Sequence, residues 1–302
     1  MRHKVFAVFV VLFLGFGLCL GGGSFGVYGQ VSRSEVSLEL QQATWDHSTL
    51  RVLIVTEEDE SWWQSAYTNS ALRAVGVWND AFAAFASNYL GFEYLSRLSM
   101  VPTVSDALRP GFDVYVSWTS EPLTEGDDSV GLAVTYSVSG IILNCTITLD
   151  VYNRLGTALS EVDMQNVALH ELGHAAGINH CNYTGDAMYP ASLLGSPARA
   201  VSTINVYGVA AVFGWMANSQ QPNPGENWPK TDTVMLPPQI EYRHLDISPE
   251  NIPPYSNFEP VIGPLRTILD VILMFVSLEF LVVIVVIVIV IMAVLLLYRR
   301  RK

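Results

Sequence analysis

Basic side chains are scarce through most of this 302-residue chain. Residues 31–266 hold ten Lys and Arg against twenty-six Asp and Glu, an excess of sixteen negative charges. A nucleic-acid surface needs clustered cations facing phosphates. The single dense basic group, Arg299-Arg300-Arg301-Lys302, stands at the far end of the chain, so nucleic acid is excluded as a partner. Cysteine is nearly absent as well. Of three, Cys19 falls in an apolar N-terminal segment, which leaves Cys145 and Cys181, too few for a disulfide framework. The chain has no internal repeat, no glycine-rich phosphate loop and no serine nucleophile constellation, and these absences remove repeat arrays, P-loop nucleotide binding and serine-based hydrolysis.

Long apolar runs are present, one near each end. Residues 280–297 are eighteen consecutive apolar side chains. At ~1.5 Å per residue they make about 27 Å of helix, close to the hydrocarbon thickness of a bilayer. A transmembrane helix is expected over 267–298, with 299–302 as a basic cytoplasmic tail. Asp270 and Glu279 are expected at the outer interface or paired within an oligomer, because an ionised carboxylate at mid-bilayer is costly. At the other end Arg2-His3-Lys4 precedes the apolar residues 5–20 and then Gly21-Gly22-Gly23-Ser24, the order of a signal peptide over 1–29 or of an uncleaved anchor. Basic residues flank both runs on their distal sides. The positive-inside rule therefore puts both termini in the cytoplasm at synthesis and the intervening chain outside, on the cell membrane.

Between these runs, 30–218 reads as one globular domain, and 219–266 as a stalk in which ten prolines occur between 221 and 264. Residues 51–56 and 113–118 read as strands. Ala71, Val75, Trp78, Phe82, Phe85 and Tyr89 recur at intervals of four and three, which predicts a long amphipathic helix. Residues 132–138 and 141–149 read as a hairpin joined at Ser139-Gly140, and Ser160 with Asp163 begins a further helix. The fold class expected is α+β, a twisted mixed β-sheet covered by helices. In an oxidising compartment a disulfide between Cys145 and Cys181 would tie the strand 141–149 to the loop after residue 180; two separate thiols are the alternative. Glu57-Glu58-Asp59-Glu60 and Gly126-Asp127-Asp128 can hold Ca2+ or be solvated loops, and solvated loops are the commoner outcome.

The chemistry is concentrated in His170-Glu171-Leu172-Gly173-His174-Ala175-Ala176-Gly177-Ile178-Asn179-His180. On a helix, His170 and His174 stand four residues apart on one face, so two neutral imidazoles can converge on one Zn2+. Glu171 lies one step round the same turn, within reach of a water to which it can act as general base. Gly177 can end the helix in a left-handed conformation and turn the chain so that His180 supplies a third nitrogen. Three protein ligands leave a fourth position open, as catalytic zinc requires. Two surface histidines beside a solvated glutamate are the competing reading of the short motif. Gly177 and His180 in fixed register, with Met188 eight residues further on, weigh against it. Cys181 as a ligand is weaker, because His180 beside it already completes the set.

These residues, with Met188-Tyr189-Pro190, resemble the metzincin zinc metallopeptidases, and within them the matrixin-like group. The likeness extends over about residues 48–216. It implies a zincin-like domain with a long N-terminal helix and an active-site helix, one catalytic Zn2+ on His170, His174 and His180, and Glu171 as catalytic base. It also implies Met188 in the Met-turn beneath the metal and Tyr189 and Pro190 in the wall of the S1' pocket, within residues 189–194. A peptide would pair with the strand 132–138, and the partner implied is a protein or peptide substrate. No Pro-Arg-Cys-Gly latency motif precedes the domain, and His3, His47 and His244 do not form the second zinc site of animal matrixins. The function expected is a membrane-anchored, extracytoplasmic zinc-dependent endopeptidase. A non-catalytic surface adhesion or binding module with the same fold is the alternative; such a module would be expected to have lost Glu171 or a histidine, and all four are present.

Overall fold

Apolar and β-branched segments of the described residues assemble into two sheets, the larger of five strands. Its members are β2 (Thr49–Val55), β3 (Ser99–Ser105), β4 (Val114–Thr119), β5 (Gly131–Val138) and β6 (Ile141–Asp150), in the spatial order β3-β2-β4-β6-β5. Strands β2, β3, β4 and β6 run parallel, and β5 closes one edge antiparallel to β6. The hairpin between β5 and β6 turns at Ser139 (φ 54°) and Gly140 (φ 81°), the paired left-handed conformation that suits the twist of two joined strands. The smaller sheet holds β1 (Ser37–Leu40), β7 (Ile178–Cys181) and β8 (Thr233–Met235) in the order β7-β1-β8, all antiparallel. This computed structural model describes residues 36–245 apart from 124–128, 192–193, 219–223 and 225–230. The expected leader (1–29), terminal helix (267–298) and basic tail lie outside the described residues, and no described helix is long and apolar enough to cross a membrane.

Helix α1 (Ser65–Asn88) buries Ala71, Val75, Trp78, Phe82 and Phe85 along the predicted stripe, while Tyr89 falls just beyond its end. Burying each large apolar side chain contributes roughly 1.5–3 kcal/mol, so this face holds α1 firmly on the domain. Beside it runs α2 (Glu161–Ala175), which packs against α1 and against β5 and β6, while α1 itself meets the sheet at β3. Two buried indoles fix its position along the axis. Trp78 Nε1 donates to Leu169 O at 2.9 Å, and Trp45 Nε1 donates to Ala175 O at 2.8 Å. A third helix, α3 (Thr203–Val212), starts with a reciprocal cap in which Ser202 and Asn205 each bond the other's backbone.

Two expectations fail. Cys145 and Cys181 are separate buried thiols and form no disulfide. Cys145 sits inside the five-stranded sheet, opposite Val114 and Thr135, whereas Cys181 belongs to the other sheet, opposite Leu38. Nor does the stalk begin at 219. Residues 231–245 belong to the domain: β8 pairs with β1, and Ile240 and Leu245 are buried. Proline content suggested an extended segment, but apolar side chains spaced among the prolines find places in the core. The N-terminal residues 36–45, where Val36, Leu38 and Leu40 alternate with Ser37 and Glu39, likewise supply a strand and the buried Trp45.

At the start of β2 a charged cluster joins three segments. Asp113 accepts from the Arg51 backbone at 2.8 Å and lies 3.1 Å from the Arg51 guanidinium. His47 lies 2.7 Å from Asp46 and 3.4 Å from Asp113. Burial opposes the His47 charge, but the Asp113 and Asp46 carboxylates outweigh it and raise its pKa above the ordinary 6.5. Burial likewise opposes the Asp113 charge, yet His47 and Arg51 hold its carboxyl below the ordinary 3.8. The histidine contribution is therefore complete below pH 6.5 and lost as pH rises through the raised value; the aspartate contribution is complete above 3.8 and lost on acidification through the lowered one. The melting-temperature gap between wild type and His47→Gln is expected to be widest between about pH 4 and 6.5 and to narrow toward pH 9. Calorimetry across that range checks it, and a gap independent of pH would refute the assignment.

Candidate metal centre

Ser160 caps α2 by accepting from Asp163 N at 3.1 Å, and Glu161 and Asp163 place negative charge at the positive end of the helix dipole. The helix runs to Ala175 and ends at Gly177, which adopts φ +90°. A side chain there would be strained, and its Cβ would stand 2.9 Å from Val212 and 3.3 Å from Ala43 O. The turn leads directly into β7, which carries His180. In this way one helix, one glycine and one short strand bring three imidazoles together, with a ligand nitrogen of each within 4.8 Å of the others.

Backbone carbonyls set the tautomers of two of them. His170 Nδ1 lies 2.8 Å from Ala187 O, and His174 Nδ1 lies 2.9 Å from Ile178 O. A carbonyl only accepts, so both Nδ1 atoms carry hydrogen and both Nε2 atoms present lone pairs. Those Nε2 atoms are 3.1 Å apart. Two facing lone pairs repel unless a cation stands between them. A proton is poorly suited: burial holds His170 well below its ordinary pKa and pulls His174 to about 4 and His180 to about 3. Three neutral imidazoles, two of them oriented by carbonyls, match the donor preference of zinc, and no other His, Cys, Asp or Glu cluster of three occurs among the described residues. The acidic run Glu57–Glu60 forms no such group, and residues 126–128 lie outside the described residues.

Glu171 is buried, and burial pushes its carboxyl up to about 8, partly offset by the Ala133 N–H that donates to it. Ala133 belongs to β5, the sheet edge, so the carboxylate touches the strand expected to receive a peptide. Close approach of strand and helix depends on Gly131. A Cβ there would fall 2.5 Å from Glu171 Oε1 and 2.6 Å from Val167 Cγ1. Gly173 plays the same part on the other side of α2, where any Cβ would collide with Met188 Sδ. Met188 is fully buried, at the end of a turn held by Asp186, whose Oδ1 accepts from Met188 N at 2.8 Å. Of the expected pocket wall, Tyr189 is half-buried and Pro190 exposed, while residues 192–193 lie outside the described residues.

Several residues at this centre are not evident from the sequence motif. Gln41 Nε2 donates to His174 O at 2.8 Å, stitching the N-terminal segment to the end of α2. Asp186 is completely buried and collects Asn205 Nδ2 at 2.7 Å and Ser202 Oγ at 2.6 Å. A lone aspartate beside the apolar pair Ala187-Met188, and the Ser202-x-x-Asn205 cap spacing, are the only signals that point to these partners. Gln41 and Gly131 give none.

Compared with models of known protein families, residues 44–214 match the model of the matrixin peptidases. No curated protein matches the chain significantly. The purified chain is expected to hold one Zn2+, measured by atomic emission. His174→Ala should weaken its affinity by more than the ~10–100-fold that follows loss of an outer partner. Unchanged affinity in that variant would show that the three imidazoles are not the site.

Proposed function

The chain belongs to the matrixin family, a family of zinc-dependent metallopeptidases, and from that membership we propose that it is an endopeptidase acting through the His170, His174 and His180 centre with Glu171 as general base. The observation that carries the proposal is the convergence of three imidazole nitrogens, two of them aimed by backbone carbonyls, next to a buried carboxylate and the edge strand of the sheet formed by the described residues. His170, His174 and His180 would hold Zn2+, which when bound supplies Lewis acidity that polarises a carbonyl and acidifies water.

The rest of the reaction belongs to the chain's own groups. A substrate in extended conformation would add to the edge of β5 by backbone hydrogen bonds, as peptides do on open sheet edges. That pairing lays the scissile carbonyl alongside Glu171, which the Ala133 N–H keeps in place. One carboxylate oxygen of Glu171 takes a proton from the attacking water as the new C–O bond forms. The same oxygen then gives that proton to the leaving nitrogen as the C–N bond breaks, so the carboxylate ends as it began.

The leader expected at 1–29 and the apolar run at 280–297 support placement of the domain outside the membrane, with the chain after Leu245 as its tether. Substrates would then be extracytoplasmic proteins or peptides close to that membrane. A role for Ca2+ has no support beyond the acidic loops.

Glu171→Gln should retain zinc and lose cleavage of a peptide library by about 10^2–10^4-fold, the range a general base contributes. Cleavage at the wild-type rate with zinc bound would refute the mechanism. Gly131→Ala, which drives a methyl into Glu171, should lower kcat by about 10^2-fold, the scale of a 1 Å misplacement. Retained zinc and a near-native circular dichroism spectrum would separate this effect from unfolding.

A further inference from the structure

The match to the matrixin family ends at residue 214, yet the chain returns to the metal centre nearly thirty residues later. Residues 240–245 lie along the entry to α3. Thr203 N donates to Arg243 O at 2.9 Å, Leu245 N donates to Val201 O at 2.9 Å, and Ser202 faces His244 in an antiparallel bridge. This fixes Tyr242 over the turn that precedes Met188. Its ring meets Tyr183 edge-on with centroids 5.0 Å apart.

We propose that Tyr242 is a positioning residue for the metal centre and acts through Asp186 on His170; this rests on the zinc reading above. The Tyr242 hydroxyl lies 3.1 Å from Asp186 Oδ2. His244 Nε2 is 3.4 Å from the same hydroxyl but also 3.1 Å from Gly185 O, a carbonyl that can only accept. His244 therefore carries hydrogen on Nε2, and the tyrosine proton goes to the aspartate. Asp186 receives Tyr242 and Ser202 on Oδ2 and Met188 N and Asn205 on Oδ1, and the Cys181 thiol bonds its side chain as well. Arg199 Nη1 donates to the carbonyl of the same residue at 2.6 Å. The next residue is Ala187, whose carbonyl accepts from His170 Nδ1.

Orientation thus passes from Tyr242 to the Asp186 carboxylate, through one peptide to Ala187 O, and on to the imidazole. Of these partners of that carboxylate, Tyr242 alone comes from outside residues 44–214. Removing it leaves a buried carboxylate oxygen short of a donor, which lets the carboxylate turn and the turn after it relax. Outer partners of this kind set ligand orientation and metal retention more than they set overall fold.

The test uses the full-length chain and Tyr242→Phe, which keeps the ring contact with Tyr183 and removes only the hydroxyl. Zinc release to a chromogenic chelator should be about 10-fold faster in the variant. The visible spectrum of the cobalt-substituted protein should shift, while the metal-free melting temperature stays near that of the wild type. Asp186→Asn should release zinc faster as well, and adding Tyr242→Phe to it should change little further, because the tyrosine works through that carboxylate. Equal release and identical cobalt spectra for wild type and Tyr242→Phe would overturn the positioning role, as would fully additive effects in the double variant. A wild-type chain that binds no zinc would instead sink the underlying reading.

Discussion

Two hydrogen bonds from imidazoles to backbone carbonyls, His170 to Ala187 and His174 to Ile178, are the constraint on which the rest of this molecule depends. Neither carbonyl lies in the helix that carries the histidines. Each must be delivered from a turn or strand that follows it. Ile178 arrives because Gly177 reverses the chain immediately, and Ala187 arrives because a buried aspartate holds the next turn closed. The long α1, the indole bonds from Trp45 and Trp78 and the five-stranded sheet keep α2 at a fixed height, so that these carbonyls meet the right ring atoms.

The same demand explains where side chains are missing. Helix α2 is approached on one side by β5 and on the other by Met188, and at each closest point the chain has glycine, Gly131 in the strand and Gly173 in the helix. A glycine within a helix costs up to about 1 kcal/mol relative to alanine. Here Gly173 lets the Met188 thioether pack against α2, as Gly131 lets the Glu171 carboxylate lie against the sheet edge. Local helix stability is exchanged for close approach at the one place where the chemistry needs it.

Much of this was legible in the sequence. The spacing of His170, His174 and His180, the Ser160 cap, the apolar stripe of α1 and the Ser139-Gly140 turn each depend on neighbours a few residues away, and each stands where local reasoning puts it. What escaped was non-local. Gln41 reaches α2 across more than a hundred residues, and Tyr242 reaches Asp186 across fifty-six. Cys145 and Cys181 invite pairing by their number and by the compartment expected for them, but the sheets that separate them are set by long-range register. The proline-rich segment misled for a related reason. Proline forbids interior helix and central strand, yet a short edge strand such as β8 and a bridge such as that at His244 fit between prolines without difficulty.

The attachment of residues 240–245 also has a mechanical meaning. Any pull on the chain beyond Leu245 is delivered first to the bond between Leu245 N and Val201 O, then to the bridge at His244 and the contacts of Tyr242. The parts of the domain that feel the load earliest are therefore the start of α3 and the turn that aims His170. The five-stranded sheet is reached only after these have yielded. Tension and metal retention share the same few hydrogen bonds, so a pull from this end loads the part of the domain nearest to its chemistry.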